Sequence, residues 1–280
     1  MSKVCIVTGG TGGIGKATAA ALAARGNRVA VVGRNRAKAE AAVSEIRRVS
    51  GNQAVDLLLA DFASLDSVRT LASECLGRYE RIDVLINNAG AINPTRALTA
   101  DGFESTFGVN HLAPFLLTNL LLDRLKASSP ARIVNVSSAA HALPGMDLSD
   151  WQFERRKYHS MRAYALSKLA NILFTYELAR RLEGTGVTVN ALHPGMVDTD
   201  IYSNQERGLF LKLFGPLLRR FVVSPEKGAE TSVYLAADPA VAAISGRYFA
   251  GSRERRSSRA SYDQALARRL WDLSERMVVK

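Results

Sequence analysis

The stretch Gly9-Gly10-Thr11-Gly12-Gly13-Ile14-Gly15 limits what this chain can become more than any other part of it. It follows directly on Lys3 to Thr8, a short apolar, β-rich run that reads as a buried strand. It leads into an Ala-rich helical run, Lys16 to Arg25, that Gly26-Asn27 stops. Strand, glycine turn and helix in that order form a setting in which main-chain N–H groups can close on a phosphate. Glycine permits the tight turn and the close approach, and the helix start offers unpaired N–H groups and the positive end of its dipole. Gly9, Thr11, Gly13, Ile14 and Gly15 are therefore candidate phosphate-binding residues of a dinucleotide site.

The same unit then repeats. Arg28 to Val32 reads as the second strand and ends in Gly33-Arg34-Asn35-Arg36. A nicotinamide cofactor's adenosine ribose is expected at that end, where an acid would bind the ribose hydroxyls and repel a 2′-phosphate. No acid stands there, and Arg34 can pair with a phosphate through two charge-assisted hydrogen bonds, so NADP(H) is expected in preference to NAD(H). A helix from about Ala37 to Val49 and a third strand, Gln53 to Ala60, lead to Asp61-Phe62. Asp61 can accept from an adenine amino group or serve the following helix start with Ser64. After a helix from Leu65 to Tyr79, strand Ile82 to Ile86 ends in Asn87-Asn88-Ala89-Gly90, small and amide groups that suit close passage of a ligand.

Leu98 through Lys126 carries a helical pattern in which Asn110 and Pro114 predict a kink, a freed carbonyl and a water site. Arg132 to Val136 reads as the fifth strand and ends in Ser137-Ser138; alternation points the two serines opposite ways, so one of them faces the site. Ala140 to Ser160 is poorly periodic and reads as a loop. A helix through Tyr164 and Lys168 runs to about Leu182, and the sixth strand, Val187 to Leu192, ends in His193-Pro194-Gly195. Helix Glu226 to Ala237, a seventh strand near Gly246 to Ala250, a basic loop Arg253 to Ala260 and a helix Tyr262 to Met277 complete the chain. The expected fold is α/β: a single doubly wound (Rossmann) domain over residues 1–280, with a seven-stranded, mostly parallel sheet and helices on both faces. The candidate groups all fall at the carboxyl ends of strands, where such sheets bind ligands.

Tyr164 and Lys168 stand four apart, on one helix face. A phenol is a weak acid near neutrality, with a reference pKa of about 10. A cation one turn away favours the phenolate, which makes the pair a device for exchanging a proton with an alcohol oxygen.

In family order and approximate spacing, Thr8-Gly9-x-x-x-Gly13-Ile14-Gly15, Asn87-Asn88-Ala89-Gly90, Asn110, Ser138, Tyr164-x-x-x-Lys168 and Pro194-Gly195 resemble the short-chain dehydrogenase/reductase family over nearly the whole chain. Val134-Asn135-Val136-Ser137-Ser138, Tyr164 to Asn171, Gly228 to Ser232, Ser245 to Phe249 and the long interval from Ser138 to Tyr164 resemble its branch of retinol dehydrogenases and related carbonyl reductases. The resemblance implies an oxidoreductase that interconverts a lipophilic carbonyl, aldehyde or ketone, and its alcohol by hydride transfer. Tyr164 would be the general acid/base, and Lys168 would lower its pKa and hold the nicotinamide ribose. Ser138, favoured over Ser137 by the family pattern, would bond the substrate oxygen, and Asn110 would support a water leading to Lys168. His111, His141 and His193 then read as packed or surface residues, since Tyr164 fills the proton-transfer role. The strand-end residues Asn88, Ala89, Gly90, Pro194 and Gly195 would line the cofactor, as would Val197 and Thr199, Thr199 on its carboxamide. Members commonly pair through the helices holding Asn110 and Tyr164, which implies a homodimer or homotetramer. Related protochlorophyllide reductases leave C=C reduction as an alternative, and a non-catalytic cofactor-sensing regulator is a second one.

Residues Ile201 to Val223 are mostly apolar and flecked with Lys212, Arg219 and Arg220. They read as a lid over an apolar pocket, with a packed helix and weak peripheral membrane contact as alternatives. The formal net charge of +11 gathers near the C-terminus at Arg253, Arg255, Arg256, Arg259, Arg268 and Arg269, and reads as a solvated face. Without interleaved aromatics or a recognition motif it implies no nucleic acid partner. Two cysteines, Cys5 and Cys75, give no disulfide framework or metal cluster, and no leader-like pattern opens the sequence, so a cytoplasmic protein without a metal is expected.

Overall fold

Strand side chains alternate between two cores, one on each face of a single sheet. In the first strand, β1 (Val4–Thr8), Cys5 and Val7 join one apolar cluster and Ile6 the other. In β2 (Arg28–Gly33), Val29 and Val31 join the first and Ala30 and Val32 the second. Both faces are therefore covered by helices, as the near-continuous apolar strands require. The structure, a computed structural model, describes residues 2–143, 147, 149–197 and 222–279.

On one face lie α1 (Gly13–Ala23), α2 (Arg36–Ser50) and α7 (Pro225–Ala237). On the other lie α3 (Leu65–Arg78), α5 (Ala113–Ala127) and α6 (Ser160–Arg181), with the C-terminal helix α8 (Gln264–Val278) packed outside α6. The remaining main strands are β3 (Val55–Leu59), β4 (Val84–Asn87), β5 (Ala131–Val136), β6 (Val187–His193), β9 (Arg247–Ala250) and β10 (Arg253–Arg255). Their order is β10-β9-β6-β5-β4-β1-β2-β3, parallel except for the antiparallel pair β9 and β10. The chain reverses direction of winding between β1 and β4, so the loops after those two strands part and leave a crevice. A separate ladder pairs β7 (Met196–Val197) with β8 (Val222–Val223).

The sheet has eight strands rather than the expected seven. The eighth, β10, lies in the stretch Arg253 to Ala260 expected as a basic loop, and a turn at positive φ, Gly251 and Ser252, folds it back on β9. Three exposed charged residues hide the strand from any pattern of apolar alternation. The long helix expected from Leu98 is also divided. Leu98 bridges to Glu104, a one-turn helix α4 spans Ser105–Phe107, and a π-helical turn, Gly108–Leu112, leads into α5. The kink expected at Asn110 is that π-turn.

Helix α6 is buried continuously from Ala163 to Leu178. Trp271 of α8 closes it on the outside, 5.8 Å from the Phe174 ring and 4.9 Å from Phe115, beneath the Arg181 guanidinium at 4.0 Å. Helix α6, one of the two that the family resemblance would use for pairing, thus packs against α8 on this side. Among the described residues no helix is long and apolar enough to cross a membrane, and no cluster of ligating side chains could hold a metal. Cys5 and Cys75 are free and buried. Thr199 and the greater part of the expected lid, 201–221, lie outside the described residues.

Candidate active site

Helix α1 begins differently from α2 and α7, which share its face of the sheet. Side chains cap α2, α3, α7 and α8, from Asn35, Ser64, Ser224 and Asp263. The cap position of α1 is Gly12, with no side-chain hydrogen bond and no acid in the first turn. Its N–H groups therefore face the crevice without a side-chain acceptor, the arrangement that accepts an anion. Close packing fixes the turn: a Cβ on Gly15 would lie 2.2 Å from the Gly9 carbonyl oxygen, and Gly9 and Gly13 have φ of 64° and 48°. These are places only glycine fills without strain.

Thr8 joins β1 to β4. Its Oγ1 accepts from the main-chain N–H groups of Asn88 and Ala89 at 2.9 and 3.0 Å, and donates to the Ile86 carbonyl. The Asn88 amide donates to the Thr8 carbonyl at 2.8 Å. A cleft of about 370 Å³ opens between these strand ends. The predicted residues Gly9, Thr11, Gly13, Ile14, Gly15, Arg34, Asp61, Phe62, Asn88, Ala89 and Gly90 all line it. Arg34 is exposed beyond β2, and Lys38, one turn further on, joins it at the cleft; Asp61 is the one carboxylate among the described lining residues. Asp61 also accepts from the Ala63 N–H at 3.0 Å, while Ser64 caps α3, so both of its expected uses are open to it. Lys38 is a residue that sequence reasoning missed, with its spacing of four from Arg34 as the available signal, and Thr8 was read only as part of the glycine motif, without its bonds to the β4 end.

The second group gathers at the ends of β5 and β6. Ser137 turns inward, where its hydroxyl donates to the Lys168 carbonyl at 2.7 Å, while the Ser138 hydroxyl accepts from the Ala140 N–H at 3.2 Å. Lys168 is 3% exposed; its ammonium donates to the Val136 carbonyl at 3.1 Å and lies 5.5 Å from the Tyr164 ring centre. Burial brings its pKa down to about 8, so it still carries charge at neutral pH. Asn110 is wholly buried, and its side chain is a staple on the strand-end loop: Oδ1 accepts from the Ala91 N–H at 2.7 Å and Nδ2 donates to the Ala91 carbonyl at 2.9 Å. The same amide reaches Ser167 on α6 at 2.9 Å. A methyl on Gly90 would lie 3.4 Å from both the Asn110 Oδ1 and the Lys168 Nζ, so the two groups meet at the edge of the cleft. Pro194 and Gly195 follow β6, Gly195 with φ of 92° and placed so that an added Cβ would lie 3.4 Å from the Val223 side chain, and the Val197 main chain lies in β7.

The histidines fall into two kinds. His111 is fully buried among aromatic rings, its Nε2 2.8 Å from the Ser274 hydroxyl of α8, and burial pushes its pKa down to about 3. His141 and His193 flank Ser138 instead, with His141 Nδ1 at 2.6 Å from the Ser138 carbonyl oxygen and His193 Nδ1 at 3.3 Å from the Ala139 N. Larger hollows, about 730 Å³ beside Tyr176 and Tyr262 and about 700 Å³ between α1, α2 and α7, lie away from this convergence.

The chain is similar to known proteins over nearly its whole length. Residues 3–209 match the family model for short chain dehydrogenase. Human retinol dehydrogenase 13 is 47% identical over 281 residues, spanning 99% of this chain and 84% of that protein. Human retinol dehydrogenase 14 is 46% identical over 290 residues, 99% of this chain and 86% of its own length. Among solved structures, a variant of actinorhodin polyketide ketoreductase with NADPH has a TM-score of 0.68 at 28% identity, covering 89% of this chain and 95% of that one. A protein from Mycobacterium paratuberculosis reaches a TM-score of 0.79 at 35% identity, covering 99% and 93%. Members of the family are oxidoreductases that use nicotinamide cofactors. A glycine turn at an uncapped helix, and a tyrosine and lysine beside a strand-end serine, are thus joined to relatives that match almost the entire chain: it belongs to the short-chain dehydrogenase family and is retinol dehydrogenase-like.

Proposed function

We propose that this carbonyl/alcohol oxidoreductase acts on a small lipophilic aldehyde or ketone and its alcohol, prefers NADP(H), and uses Tyr164 as its general acid/base. The observation that carries the reading is the buried Lys168 beside Tyr164, next to Gly90 at the edge of a glycine-lined cleft. The uncapped start of α1 fits a pyrophosphate, and Arg34 with Lys38, at a strand end without an acid, fits a 2′-phosphate. When bound, the cofactor supplies or takes the hydride.

The protein's part is to hold the substrate oxygen and move one proton. In reduction the Ser138 hydroxyl donates to the carbonyl oxygen, and the Tyr164 phenol delivers the proton as negative charge develops there. The Lys168 ammonium favours the phenolate left behind. Oxidation reverses the order, with Tyr164 as base. Asn110 uses its side chain on Ala91 and Ser167, so its part in a proton route falls to its own main chain within the π-turn. The apolar composition of 201–223 and the name of the retinol dehydrogenase relatives support a lipophilic substrate beneath a lid. Pairing of β7 with β8 joins the chain just before that segment to its last two residues, Val222 and Val223.

The test is NADPH oxidation against a panel of retinal, steroid and polyketide-like carbonyls. Turnover of an apolar carbonyl is expected; binding of NADPH with no turnover of any of them would remove the reading.

A further inference from the structure

The turn that carries Ser138 is held by two imidazoles. Nδ1 of His141 lies 2.6 Å from the Ser138 carbonyl oxygen, and its Nε2 lies 2.9 Å from the main-chain N of Ser258. A carbonyl only accepts and an amide N–H only donates, so His141 carries its proton on Nδ1 and presents Nε2 as an acceptor. On the other side, Nδ1 of His193 accepts from the Ala139 N–H, which leaves the His193 proton on Nε2. The segment that meets His141 is tied in turn to α6. Ser257 Oγ lies 2.7 Å from the Tyr176 hydroxyl, and the Ser257 N–H donates to the Tyr262 hydroxyl at 3.1 Å. The Tyr262 ring stacks on Tyr176 at 5.5 Å. Helix α6 is the one that carries Tyr164 and Lys168.

We infer that His141 is a positioning residue: in its neutral, Nδ1-protonated form it ties the Ser138 main chain, through Ser257-Ser258 and Tyr176, to the helix of Tyr164, and so sets the separation of the two hydroxyls that share the substrate oxygen. The inference rests on the carbonyl reading above. His141 is buried against the Tyr248 ring, with centroids 5.0 Å apart. Burial also holds both imidazoles below the ordinary histidine range, and His141 pushes His193 further down. Among the described residues, the groups that face His141 are Ser138 on its own turn, Tyr248 of β9, Ser258 of the C-terminal segment and His193 of β6, and none of these is a carboxylate that would retain a second proton. Protonation would set an N–H against the Ser258 N–H and break the tie.

Two variants and one spectrum test this. In His141→Ala, kcat for carbonyl reduction should fall on the order of tenfold to a hundredfold, the usual result of a small misplacement. The Kd for NADPH, read from its fluorescence, should stay unchanged. His141→Asn keeps a donor for the Ser138 carbonyl and cannot titrate, so it should recover part of kcat and lose the fall in rate that the wild type shows as pH drops through the His141 range. Wild-type kcat in His141→Ala, or an acid fall that persists in His141→Asn, would overturn the inference. Nitrogen-15 spectra of the ligand-free protein at neutral pH should show His141 as the Nδ1–H tautomer and His193 as the Nε2–H tautomer; the opposite assignment for His141 would overturn it too. The spectra need no turnover, so failure of the carbonyl reading and failure of the tie are told apart.

Discussion

On the glycine-loop wall of the site, neighbouring strands do the holding: β1 and β4 pair in the sheet, and Thr8 and Asn88 cross-bond their ends over distances of 2.8 to 3.0 Å. On the Ser138 wall, the turn is held by His141, His193 and Ser258, the last of these 117 residues away from His141 in sequence. The first wall is built from main chain and small residues, the second from two imidazoles, of which His141 meets Ser258 only where the C-terminal segment packs on α6. The first wall has no room for an added atom at Gly9 or Gly15, whereas a wall of side chains tolerates substitution and loses placement by degrees. On the function proposed above, the first wall would hold the constant ligand, the cofactor, and the second would adjust to the substrate.

That contrast can be broken from either side. The largest effect is expected from Gly15→Ala, whose methyl would lie 2.2 Å from the Gly9 oxygen and 2.5 Å from the Asn88 amide nitrogen. It should cost about 1–3 kcal/mol in stability, measured by denaturant unfolding, and abolish measurable NADPH binding. A variant that binds NADPH normally would show that the wall yields. The His141 substitutions come next, with placement lost and cofactor binding kept. A smaller and more selective effect is expected from Arg34→Ala, because Arg34 is exposed and shares the cleft with Lys38. The kcat/KM for NADPH should fall by about tenfold, the scale of one charge-assisted hydrogen bond, with that for NADH unchanged. An equal loss with both cofactors would move Arg34 away from the 2′-phosphate.

The contrast also explains what the sequence could and could not disclose. The glycine turn, the Asn88 strand end and the Tyr164–Lys168 spacing are local, so strand, turn and helix signals were enough to find them. Even the kink at Asn110 was legible, because Pro114 interrupts a helical pattern; its π-helical form was not. The work of the Asn110 side chain on Ala91 depends on a loop from another strand. His141 and His193 looked like ordinary packed residues because their partners, a carbonyl and two amide N–H groups, leave no mark on side-chain sequence. Strand β10 was hidden by its exposed charges, and the covering of α6 by Trp271 depends on a helix far downstream in the chain.

The central claim is that Tyr164 moves the proton, and Tyr164→Phe tests it most directly. NADPH binding to the variant and turnover of the best carbonyl from the panel would be measured on one preparation. Binding should match the wild type, and kcat should fall by about 10²–10⁴-fold, the contribution of a positioned proton donor. Turnover near the wild-type rate with NADPH bound would contradict the account.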